Sequence, residues 1–76
     1  MLGESYRLGK QTIAIDSSGQ EHSCVLIPQN AIVTVIGGPL NGNRMVDVKW
    51  ERLTVMMFVE DLKSRGTQIF GYTGNS

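Results

Sequence analysis

One cysteine, two prolines, one tryptophan and one histidine are all that this 76-residue chain holds of those four residue types. A lone Cys24 cannot close an internal disulfide, and there is no C-x-x-C pair to start a metal site, so no cofactor or metal is expected. Set between Ser23 and Val25 in a strand-like run, Cys24 reads as a buried, reduced thiol filling space as a small hydrophobe. Excess charge is missing too: seven basic and seven acidic residues cancel, which removes any general attraction to nucleic acid or to an anionic membrane. No apolar run is long enough to span a bilayer, and the N-terminus lacks a charged region followed by a long apolar one. A cytoplasmic location is the expectation. At 41% hydrophobic and 18% charged residues the chain has enough apolar surface to offset ordering entropy, but one small domain can bury only about two-thirds of its surface.

The most informative stretch runs from Met45 to Leu62, MVDVKWERLTVMMFVEDL. Val46, Val48 and Trp50 alternate with Asp47 and Lys49, the period-2 pattern of a strand buried on one face. Leu53 to Phe58 is the return strand. With Glu51 and Arg52 at the tip, Trp50 faces Leu53, Val48 faces Val55 and Val46 faces Met57, so one register gathers six apolar side chains. No Gly or Asn is present to take positive φ at the tip, and its turn type is left open. The other face pairs Lys49 with Thr54, Asp47 with Met56 and Met45 with Phe58. Met45, Met56 and Phe58 therefore form an outward apolar patch that needs a cover, which is the chain's expected protein contact. Either an arm bearing Tyr6 and Leu8 folds over it, or a second copy packs there in a symmetric dimer.

Before this hairpin, residues 1–9 read as an arm and residues 10–72 as the domain; residues 73–76 read as a flexible tail. Gln11 to Asp16 and His22 to Ile27 are β-branched runs around the turn cluster Ser17-Ser18-Gly19-Gln20, a first hairpin. Ser18 and Gly19 at its tip would set Ile15 against His22 and Ile13 against Cys24, with Ala14 against Ser23 and Thr12 against Val25 on the other face. Pro28-Gln29-Asn30 is a turn, with asparagine suited to left-handed backbone. Ala31 to Ile36 reads as a central strand covered on both sides. Gly37 to Asn43, GGPLNGN, is a loop. Glu60 and Asp61 open a helical turn that Lys63, Arg65 and Gly66 close, in the charge order a helix favours. Thr67 to Tyr72 is a last short strand.

Groups that could do chemistry have simpler structural roles. His22 and Cys24 share a strand face, but a cysteine nucleophile needs an electropositive setting and a third, orienting group, and only Glu21 is near. Glu60 and Asp61 are adjacent and diverge, and GGPLNG lacks the Lys-Ser/Thr of a phosphate loop. No catalytic residue is assigned and the chain is not expected to be an enzyme. Arg44, Lys49 and Arg52 along one edge of the second hairpin are the candidate nucleic-acid contacts, although Asp47, Glu51, Glu60 and Asp61 are interleaved with them.

This order of elements resembles an SH3-like barrel: Pro28 to Asn30 matches the diverging turn, Met45 to Phe58 the distal hairpin, and Glu60 to Arg65 the helical turn before the last strand. DVKW, TVMMF and EDLKSRG are also similar to small uncharacterised bacterial proteins of this type. The resemblance implies an all-β barrel of five to six strands with one short helical turn. Eukaryotic SH3 domains carry an ALYDY-like run and a tandem tryptophan; here Thr12-Ile13-Ala14-Ile15 and a single inward tryptophan stand instead, so no polyproline ligand is expected. VTVIGGPLNG resembles the KOW motif, whose glycine-bearing loop approaches RNA or protein. The function expected is a non-enzymatic protein-interaction or assembly module, possible homodimer included, with a KOW- or Tudor-like nucleic-acid-binding module as the alternative.

Overall fold

The computed structural model describes residues 2–16, 21–39 and 44–70. Seven strands and one helix follow in the order β1 (Ser5–Leu8), β2 (Thr12–Asp16), β3 (Ser23–Ile27), β4 (Ile32–Gly37), β5 (Met45–Trp50), β6 (Leu53–Phe58), α1 (Val59–Arg65) and β7 (Gly66–Ile69). The strands form one antiparallel sheet in the order β3-β2-β6-β5-β4-β1-β7. Thus the chain is mostly β, with seven strands where five or six were expected. β3 and β7 end the sheet without pairing to each other, so a closed barrel is not formed among the described residues. Instead the sheet curls: buried side chains from β1 at one side and from β2 and β3 at the other join a single cluster with Leu62 of α1.

The β5–β6 hairpin has the register read from its alternation, from Met45 opposite Phe58 to Trp50 opposite Leu53. Val46, Val48, Val55 and Met57 are the buried centre of the core. Burying side chains of this size contributes roughly 1.5–3 kcal/mol each, so alternation fixes the buried face and the short tip then fixes the pairing. Toward the tip that burial fades. Trp50 packs against the core without being fully enclosed, and Leu53 opposite it is 42% exposed. Glu51 takes the left-handed conformation at the tip, with φ 56°.

The first hairpin pairs two residues off the expected register. Thr12 faces Ile27, Ala14 faces Val25 and Ile15 faces Cys24. A two-residue slip keeps every side chain on its own face, and this one brings Ile27 into the core, fully buried, where the tighter hairpin would have left it unpaired. Its expected tip, Ser18 and Gly19, lies outside the described residues. Asn30 does adopt positive φ, 74°, in the turn after β3, and Ala31 N–H donates to the Pro28 carbonyl at 3.2 Å.

Two further expectations are overturned. Residues Ser5–Leu8 are not an arm but an interior strand between β4 and β7, with Tyr6 and Leu8 buried. Tyr6 Oη donates to Glu4 Oε1 at 2.8 Å, and the Ser5 and Thr34 hydroxyls share a 2.8 Å bond across β1 and β4. β4 is central but not covered on both sides. Val33 and Val35 are buried whereas Ile36, at a bulge between Val35 and Gly37, is 45% exposed.

Helix α1 carries Glu60 and Asp61 in its first turn and Lys63 and Arg65 in its last, the order the charges implied. Leu62 is its fully buried anchor. Among the described residues no helix is long and apolar enough to cross a membrane. Gly66 then turns the chain into β7 in extended conformation, its N–H bonded to the Leu62 carbonyl. The expected tail, residues 73–76, lies outside the described residues.

Candidate functional site

Alternation along each strand gives the sheet a second face, opposite the core. Ile13 and Ile15 point there from β2 because Thr12 and Ala14 point inward, and Met56 and Phe58 do so from β6 because Val55 and Met57 are buried. The pairing of Ile15 with Met56 locks these two strands together. Followed across the sheet, the registers place Leu26, Ile13, Phe58 and Met45 in one row over β3, β2, β6 and β5. The adjacent row is Cys24, Ile15, Met56 and Asp47. Eight positions thus hold seven uncharged side chains, with Asp47 at the boundary.

The outward patch of Met45, Met56 and Phe58 is therefore part of a larger face. Met45 and Met56 are half-buried and Phe58 is 46% exposed, while Ile13 and Leu26 expose 55% and 57% of their surface. Sequence reading placed Ile13 and Ile15 on one face of the first hairpin but had no way to join that face to Met56, since the link runs between strands 41 residues apart. Of the two proposed covers, the arm is excluded: Tyr6 and Leu8 lie in the core on the other side of the sheet. A shallow hollow lined by Pro39, Arg44, Phe58, Val59 and Glu60 borders the face at its Phe58 corner.

Cys24 is exposed, not buried, because the even positions of β3 point away from the core. His22 precedes β3 and is exposed as well. Among the described residues no group of three or more His, Cys, Asp or Glu side chains could hold a metal ion.

The basic candidates do not come together. Arg44 stands before β5, its carbonyl accepting from Val59 N–H at 2.9 Å, whereas Lys49 and Arg52 lie at the hairpin's other end. Five residues of strand separate Arg44 from Lys49 by about 17 Å. Nor is β5 an edge: it is paired on both sides, by β4 and β6. Asp47 shares the outer face with Lys49, and Glu51 sits beside Arg52 at the tip. Elsewhere, Tyr6 is a perturbed titratable group: its burial, the hydrogen bond to Glu4 and the Glu4 charge all raise its pKa above the ordinary tyrosine value of 10.0. It serves the core and not a site. No protein-family model, curated protein or solved structure matches the chain.

Proposed function

We propose that this chain is a non-enzymatic protein-interaction or assembly module, built on an SH3-like curled sheet and docking through its outer face. The observation that carries this reading is the apolar row Leu26, Ile13, Phe58 and Met45 on the side of the sheet away from the core. Its make-up is that of an interface centre: aromatic and methionine side chains, no charge within the row, and charged groups such as Asp47, Arg44 and Glu60 at the margin. The SH3-like description is supported by the β5–β6 hairpin followed by a short helix and a last strand. Nucleic-acid binding draws no such support, because Arg44 is far from Lys49 and Arg52 and acidic groups intervene.

Capture from native lysate with immobilised protein, with and without nuclease, tests the reading. Protein should be retained in both arms and lost with Leu26→Glu, which alters an exposed side chain and leaves the core untouched. Retention that nuclease abolishes would overturn it.

A further inference from the structure

We infer that the outer face is a self-association surface on which a second copy of this chain packs, face to face about a two-fold axis. The inference rests on the interaction reading above and names its partner. Three observations select a second copy. First, the row is uncharged, with Asp47 at its boundary, and the whole chain has no net charge, so identical copies meet no net-charge repulsion. Second, the N-terminal segment proposed as a cover from within the chain is spent: β1 is paired on both sides and its apolar side chains are in the core.

Third, the area is sufficient. Ile13, Leu26 and Phe58 each expose about half their surface, and with Cys24 and the half-buried Ile15, Met45 and Met56 the face offers on the order of 500 Å² per copy. Two copies then bury roughly 1,000 Å², at the lower bound for a specific interface. This implies a weak, concentration-dependent dimer. Packed sheets stand about 10 Å apart, a gap that interdigitated Phe, Ile and Met side chains fill, and methionine adapts where identical surfaces cannot interlock perfectly.

Sedimentation velocity on the full chain, from about 10 μM to about 1 mM, tests this. Wild type should shift from monomer toward dimer across that range, and Ile13→Glu and Phe58→Glu should each weaken dimerisation by about tenfold or more. Far-ultraviolet circular dichroism and Trp50 emission check that both variants fold. Cys24 supplies a second readout, since its thiol lies in the face: labelling by a thiol reagent should slow as wild-type concentration rises, and not in the variants. A monomer throughout, with labelling independent of concentration, overturns the dimer. So does a dimer indifferent to both substitutions, which would be pairing elsewhere, as along the outer edge of β3 or β7. Should wild type be monomeric while Leu26→Glu still abolishes protein capture, the face serves a different protein and only the self-association is refuted. If Leu26→Glu changes neither, both readings fall.

Discussion

Replacing Gly66 with alanine tests how tightly α1 is tied to the sheet. The backbone there is extended, φ −110° and ψ 156°, a conformation open to any residue, so the glycine is not needed for its torsions. Space is what demands it. A Cβ would come within 2.7 Å of the Leu62 carbonyl oxygen, 3.3 Å of Tyr6 Cβ and 3.4 Å of Leu8 Cδ2. The first neighbour is backbone, and its carbonyl accepts the Gly66 N–H, so the helix end must move and that bond must stretch. Forcing a methyl group into such a site costs about 1–3 kcal/mol, and the weakened hydrogen bond about 0.5–1.5 kcal/mol. Against this, alanine restricts the unfolded chain and returns about 0.4–1 kcal/mol. The steric side wins, for a net loss of about 2 kcal/mol out of roughly 4–11 kcal/mol for a chain of this length. Urea unfolding followed by Trp50 fluorescence should show a lower midpoint at unchanged slope, and thermal unfolding a Tm roughly 10 °C lower. A midpoint equal to or above wild type would refute the close approach as a constraint.

Trp50→Ala should cost about 2 kcal/mol, below the usual 3–5 kcal/mol for a fully buried aromatic, because the indole packs against the core without being fully enclosed; a larger loss in urea titration would mean that its packing contributes more than partial burial implies. Tyr6 predicts an alkaline limit to stability. Its folded pKa is raised, so its contribution is complete below the unfolded value near 10 and is lost as pH climbs through the higher folded value; Tyr6→Phe should flatten the fall in Tm above pH 10, and an unchanged profile would remove Tyr6 as its source. Single-stranded oligonucleotides should not bind at physiological salt, and fluorescence anisotropy showing micromolar, salt-sensitive binding weakened by Lys49→Ala and Arg52→Ala would reinstate a basic surface.

What the sequence made legible follows the range of the interactions involved. The β5–β6 register was readable because six apolar side chains at alternate positions sit across a two-residue tip, and any odd slip would have set Val46 and Val48 on the opposite face from Val55 and Met57. The first hairpin was readable in its faces but not in its register, since local alternation is blind to a slip of two; the need to bury Ile27 decided it, and that need comes from the rest of the core. Ser5–Leu8 was misread because two glycines and four short-range polar neighbours obscure a strand whose partners, β4 and β7, lie far along the chain. The same reason hides most of the outer face. Met45, Met56 and Phe58 belong to one hairpin and were visible together, but Ile13 and Leu26 join them only through the pairing of Ile15 with Met56. That pairing also accounts for the face itself. Bringing β2 beside β6 buries Ala14, Thr12 and Ile27 with Val55 and Met57 on one side, and period 2 then obliges Ile13, Ile15, Met56 and Phe58 to crowd together on the other. A strand that served the core alone would place polar residues there, as β5 does with Asp47 and Lys49. Ile13 and Ile15 of β2 and Met56 and Phe58 of β6 depart from that, two successive outward positions on each strand, and the apolar choice costs solubility unless something covers them.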